Sequence, residues 1–190
     1  MSQKLHFVRH SQTRIDPTRS SHEWELTELG RQRCDVLAHQ LPADRITALV
    51  SSPEQKTRAT AAPVADHLGL EVEALDGLRE MERSDEPVTT AEEFERSIQG
   101  VFDCPDVVVY GSESAEDALA RFTEAIDRAL ARHQTGDIVV FTHGTVLSLF
   151  IAAHNSDVDG FEIWGRLGMP ALVTVSAPDF QLVDIRAQVG

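Results

Sequence analysis

The chain has 190 residues, 42% hydrophobic and 25% charged, enough to bury one sizeable core, so a single domain spanning residues 1–190 is the expectation. A formal net charge of -14 repels polyanions, which argues against a broad nucleic-acid or anionic-membrane surface and leaves any anionic ligand to a local basic pocket. The two cysteines, Cys34 and Cys104, have neither zinc nor disulfide-framework spacing, Leu5 to Val8 is too short for a secretory core, and the run from Val146 is far below the roughly 20 residues of a membrane span; a cytoplasmic protein is expected.

In chain order, Leu5–Val8, Thr47–Val50, Ile138–Phe141 and Leu172–Val175 are short apolar or β-branched runs bounded by polar residues, the pattern of buried strands. The alternation from Phe180 predicts an edge strand. Between the strands, the segment from Thr27 to Leu41 predicts a helix capped by Thr27, with Leu29, Val36, Leu37 and Leu41 on its buried face. "SPEQKTRATA" predicts a second helix with Ser52 as N-cap, Pro53 at the first helical position and Gln55 completing a capping box. Pro63 is expected to kink or interrupt it before Gly69 ends it. A short helix is expected around Ala91–Ser97, inside an irregular stretch from Asp85 to Gly111 whose loops are candidates for substrate selection. The clearest helix opens at a Ser114/Asp117 box and aligns Leu119, Phe122, Ile126 and Leu130. Alternating strands and helices imply a three-layer α/β/α fold around a mostly parallel sheet.

Two strands end in the same way: "KLHFVRHSQT" runs from apolar residues into Arg9 and His10, and "IVVFTHGTV" into His143. In open α/β sheets ligands bind beyond the carboxyl ends of the strands, where helix N-termini offer backbone N–H groups to anions. Each histidine is followed by a small residue, Ser11 or Gly144. Lys56 and Arg58 lie near the start of the helix after Thr47–Val50, and Glu80 and Glu82 follow the strand-like "LEVEAL".

Jointly these segments resemble the histidine phosphatase superfamily, in its phosphoglycerate mutase-like branch. Arg9, His10 and Ser11 stand where the family has Arg-His-Gly, with Thr13 in the hydroxyl position after it. "LTELGRQRCDVLAHQL" resembles the Leu-Thr-x-x-Gly helix, "SSPEQKTRATAA" the Ser-Ser-Pro helix, "YGSESAEDALARF" the Gly-Gly-Glu-Ser segment and "VVFTHGTVLSLF" the second-histidine segment. The resemblance implies that His10 attacks a phosphomonoester to give a phosphohistidine, that Arg9 clamps the phosphate and that His143 hydrogen-bonds the transferring group. It makes Glu80 the proton donor to the leaving oxygen, with Glu82 as its rival. Ser11, Thr13, Lys56, Glu82 and Gly144 are the further substrate-side candidates. It implies neither metal nor other cofactor, and a small phosphorylated substrate; oligomeric state is unspecified.

Three positions depart from the family pattern. Ser11 replaces a glycine, narrowing the backbone approach while adding a hydroxyl donor. Lys56 stands where an arginine is usual and lacks the bidentate fork. Arg58, about 200° further round the helix, is its less favoured alternative. Asp16 replaces a pocket asparagine and would be an unwelcome negative charge unless it pairs with Arg14 or Arg19. The leading expectation is a phosphomonoester hydrolase acting on a metabolite or phosphoprotein. The alternatives are a sugar-phosphate or phosphoglycerate mutase, and a catalytically weakened phosphate-binding member of the fold. A metallohydrolase built on His10, His143 and carboxylates is disfavoured by the adjacent Arg9 and by the want of a dense ligand motif.

Overall fold

Neighbouring residues of each central strand point to opposite faces of one six-stranded sheet, and this parity builds two separate cores. In the computed structural model, which describes residues 2–16, 18–82 and 90–190, the strands are β1 (Lys4–Arg9), β2 (Ile46–Ser51), β3 (Val72–Ala74), β4 (Asp137–Thr142), β5 (Ala171–Ser176) and β6 (Leu182–Arg186). Their order is β3-β2-β4-β1-β5-β6. The first four are mutually parallel, while β5 and β6 run antiparallel at one edge.

The helices are α1 (Glu28–Gln40), α2 (Gln55–Leu68), α3 (Ala91–Asp103), α4 (Ala115–Arg132), α5 (Gly144–His154) and α6 (Gly160–Arg166). On one face, Val8, Leu49, Val139, Phe141 and Leu172 pack with Leu37 and Ala38 of α1 and Ala61 and Val64 of α2. On the other, Leu5, Phe7, Val50, Ile138, Val140 and Val173 meet Phe122 and Ile126 of α4 and Val146, Leu147 and Phe150 of α5, with Val101 of α3 and Ile163 of α6 in the same cluster. The result is the three-layer arrangement expected of strands buried on both faces.

Several local expectations are met. Thr27 caps α1 by accepting from the Gly30 N–H, Ser114 caps α4 by accepting from the Asp117 N–H, and Gly69 ends α2 in the left-handed region at φ 66°. The predicted edge strand is β6. Gly30 explains the Leu-Thr-x-x-Gly pattern physically, because a Cβ there would sit 2.3 Å from the Gln12 carbonyl oxygen.

Others need correction. The buried face of α1 is Gly30, Cys34, Leu37 and Ala38, continued by Leu41: Leu37 and Leu41 are buried as expected, whereas Leu29 and Val36 are exposed and the small residues Gly30, Cys34 and Ala38 take their place. In α4, Phe122 and Ile126 are fully buried, Leu119 and Leu130 only partly, and alanines fill the contact between. Helix α2 runs through Pro63 to Leu68, its packed residues Thr60, Ala61 and Val64 lying on both sides of the proline. Its N-cap position is Glu54, two residues later than expected, while the Ser52 hydroxyl accepts the Glu54 N–H at 3.3 Å and lies 2.9 Å from His143 Nε2. The predicted short helix at Ala91 is α3 and extends to Asp103. Residues 83–89, part of the predicted substrate-selecting stretch, lie outside the described residues.

Candidate active site

Sheet register brings the two histidines together. Arg9 pairs with Thr142 across β1 and β4, so His10 and His143 leave adjacent parallel strands at the same level. The His10 N–H continues the ladder to the Thr142 carbonyl at 3.0 Å, and the imidazole rings stand edge to face with centroids 5.4 Å apart. On the other side of β4, Ser51 pairs with Phe141, which brings Ser52 and the start of α2 to the same sheet end.

His10 is 8% exposed, and its Nδ1 lies 2.9 Å from its neighbour's carbonyl, Ser11 O. A carbonyl only accepts, so Nδ1 carries the proton and Nε2 holds the lone pair. Burial, then the nearby His143, Lys56 and Arg9, push the His10 pKa well below the ordinary imidazole value. The ring is a neutral imidazole at neutral pH.

His143 is fully buried at the N-cap of α5, with Nε2 at 2.9 Å from Ser52 Oγ and 3.2 Å from Glu54 Oε1. Arg9 lays its guanidinium against Gly144, where an added Cβ would be 3.0 Å from Cζ, and donates through one of its terminal nitrogens to the Leu167 carbonyl. Gly144 therefore lets the arginine and the first turn of α5 share one space.

Lys56 is buried, its Nζ donating to the Ser21 carbonyl at 2.9 Å and pairing with Glu54 Oε2 at 2.8 Å. Arg58 is exposed, as its helical phase implies. Glu80 is buried and its carboxylate accepts from three backbone N–H groups: Met81 at 3.0 Å, Thr145 at 3.2 Å and Val146 at 3.1 Å. Its backbone N–H donates to Glu54 Oε1 at 3.0 Å. His10, His143, Arg9, Gly144, Lys56 and Glu80 thus gather at one end of the sheet.

The remaining candidates have other partners. Glu82 is half-buried and pairs with Arg79. Ser11 is buried, but its hydroxyl donates to the Gly30 carbonyl at 2.8 Å and its N–H to Thr60 Oγ1 at 2.9 Å, so the expected extra hydroxyl donor is used to fasten the strand end to α1 and α2. Thr13 makes a single bridge to Leu26. Asp16 turns into its own loop, accepting from the Thr18 hydroxyl and N–H at 2.6 and 3.0 Å, with Arg19 at 4.0 Å, which holds its pKa below the ordinary carboxylate value.

Sequence reasoning missed Glu54, His22 and Arg121. Glu54 is 5% exposed and touches Lys56, His143 and His22, whose Nδ1 is 3.3 Å from Oε2. Burial pushes the Glu54 pKa up, but His143, His22 and Lys56 outweigh it and hold the carboxyl well below its usual range. The hydrogen bond to Glu54 raises the pKa of His22. Arg121, from α4, donates to the carbonyls of Gly77, Arg79 and Glu80 at 2.9, 3.1 and 3.3 Å and pairs with Glu113 at 2.6 Å. Glu54 carried a signal, as an acid beside the Ser-Ser-Pro turn and two residues from Lys56; His22 and Arg121 had none in sequence spacing.

A three-layer α/β fold that gathers two buried histidines, an arginine, a lysine and two buried carboxylates at one end of its sheet defines a protein with a charged cluster beyond the strand ends. The chain belongs to the histidine phosphatase superfamily (branch 1), whose model matches residues 5–176. It is 24% identical over 171 residues to phosphoserine phosphatase 1 of Hydrogenobacter thermophilus, covering 85% of this chain and 81% of that protein. Among solved structures, Bacillus stearothermophilus YhfR aligns with a TM-score of 0.77 at 23% identity, covering 100% of this chain and 98% of the other. A mutant phosphoserine phosphatase from Entamoeba histolytica, in complex with phosphoserine, aligns with a TM-score of 0.78 at 17% identity, covering 97% of each chain. Mycobacterial glucosyl-3-phosphoglycerate phosphatase complexed with VO3 gives 0.77 at 20% identity, covering 97% of this chain and 98% of that one. Family and relatives support phosphatase activity. No helix among the described residues is long and apolar enough to cross a membrane.

Proposed function

We propose that this protein hydrolyses phosphomonoesters of a small metabolite or phosphoprotein through a phosphohistidine, without a metal ion. The observation that carries the reading is His10 itself: a buried ring, neutral at working pH, with Nδ1–H tied to Ser11 O and cationic groups around it. In the first step Nε2 of His10 forms a bond to phosphorus while the ester P–O bond breaks, and the departing oxygen takes a proton from Glu80. In the second step water attacks phosphorus, the P–N bond breaks, the water proton passes to the Glu80 carboxylate, and inorganic phosphate leaves. Arg9, Lys56 and His143 supply positive donors for the equatorial oxygens, where charge is spread in the transition state.

Glu80 must carry a proton in the first step although its carboxylate faces three N–H groups. An anionic phosphate bound beside it disfavours a second negative charge, so substrate binding itself favours the protonated form. Phosphoserine and glucosyl-3-phosphoglycerate, the compounds in the relatives' names, head the substrate panel. The decisive test is turnover across that panel by the native chain and by His10→Ala, with acid quenching to trap a phosphohistidine. Turnover that survives His10→Ala in the folded protein overturns the reading, and so does activity lost to EDTA and restored by a divalent ion.

A further inference from the structure

Glu54 has no place in that reaction scheme, yet its carboxylate sits at the centre of the pocket's charged groups. Oε1 is 3.2 Å from His143 Nε2 and accepts the Glu80 N–H at 3.0 Å; Oε2 is 2.8 Å from Lys56 Nζ and 3.3 Å from His22 Nδ1. We infer that Glu54 is a positioning residue of this site: its carboxylate, at ion-pair distance from His143 Nε2, keeps that buried ring an imidazolium, so that the ring presents positive charge to the phosphoryl group.

The surroundings of His143 give the reason. Its ring is fully buried, which penalises a charge. It stands at the N-terminus of α5, whose positive dipole end opposes a cation. Arg9 and His10 from β1 and Lys56 from α2 are cationic or neutral, and none favours protonation. Among the described residues, the anions on this side are Glu54, in direct contact, and Glu80, whose carboxylate accepts from the α5 amides. Glu54 is the contact that tips the balance, and the Ser52 hydroxyl at 2.9 Å fixes the ring's direction. A charged His143 also contributes to keeping His10 neutral, since it is the second cause, after burial, of the lowered His10 pKa. The anion on one histidine thereby prepares the nucleophilic form of the other.

Three variants separate this role from simple packing. Glu54→Gln keeps the shape and removes the charge, and it should lower the His143 titration midpoint by about 1–3 pH units, the effect of losing an opposite charge at contact distance. Lys56→Met removes a cation and should move the same midpoint up. Glu54→Asp should restore part of the native value. The measurement is the imidazole nitrogen shift in the full chain labelled with 15N-histidine, His143 being assigned by its loss in His143→Gln, with circular dichroism to check folding. In parallel, the alkaline limb of the kcat/KM profile should shift with the midpoint. A neutral His143 in the native protein at pH 7, or the same midpoint in native and Glu54→Gln protein, overturns the inference. It rests on the phosphohistidine reading for its catalytic meaning, but the titration needs no substrate. Loss of that reading with a Glu54-dependent midpoint would leave the charge pairing standing, and an unmoved midpoint in an active enzyme would remove the pairing alone.

Discussion

The carboxylate of Glu80 accepts the backbone N–H of Val146 at 3.1 Å, so the proposed proton donor also caps the helix that follows the second histidine. One side chain joins the loop after β3 to the first turn of α5. Replacing it therefore has two separable consequences. Glu80→Gln should lower turnover of an alkyl phosphate by about 10²-fold or more, the scale of general acid catalysis, and much less for an aryl phosphate whose leaving group needs little protonation. The lost charge at a helix N-terminus should cost about 1 kcal/mol of stability, read by chemical denaturation. Glu82→Gln should be mild for both substrates; the opposite pattern moves the acid to Glu82.

Arg121 reaches the same loop from behind, holding three of its carbonyls and Glu113, which in turn accepts the Glu82 N–H at 2.7 Å. Arg121→Met keeps the stem and removes the clamp. It should lower stability by about 1.5–3 kcal/mol, the range for hydrogen bonds to a charged group, and so lower Tm by several degrees. Because Glu80 loses its backing, kcat should fall more for alkyl than for aryl phosphates. Equal loss for both would show that the clamp matters to the fold but not to the acid.

The acid limb of activity follows from His10. Its pKa is lowered, so the neutral nucleophile persists as pH falls through the ordinary imidazole value near 6.5 and is lost only well below it. kcat/KM should stay flat through pH 6.5; a drop centred there would place His10 in a wetter setting. Stability should follow the same sign. Between the folded value and 6.5 the unfolded chain binds the extra proton, so the fold weakens as pH falls through that window. Glu54 adds to the loss at lower pH, below the ordinary carboxylate range, because its folded pKa is depressed.

Lys56 and Arg58 give a paired control on α2. Lys56→Ala removes a buried ammonium and leaves Glu54 beside the pocket, so kcat/KM should fall by about 10- to 100-fold and vanadate should bind more weakly, as expected for a charge-assisted bond of roughly 1.5–3 kcal/mol. Arg58→Ala should change the kinetics little, since that side chain is exposed. A crippled Arg58→Ala beside a silent Lys56→Ala would reverse the assignment of the pocket cation.

Much of this arrangement is written locally. An apolar run must be buried, so a histidine directly after it stands at a strand end; Thr27, Ser114 and Gly69 mark helix limits through backbone bonds within a few residues. Hence the strands, most helix limits, the layered architecture and the placing of His10 and His143 were legible along the chain. What the sequence leaves open depends on contacts between distant residues. The buried face of α1 keeps Leu37 and Leu41 but is completed by Cys34 and Ala38 instead of Leu29 and Val36, because close packing rewards near approach as well as apolar area. Ser52 accepts the nearby Glu54 N–H but also partners His143, 91 residues away, and the helix itself starts two residues later. Glu54 is an acid near a helix start in the sequence, and only the register of β2 on β4 puts it between Lys56 and His143. Charge pairing in a buried site is decided by a few ångströms across strands, a distance that spacing along one strand does not encode.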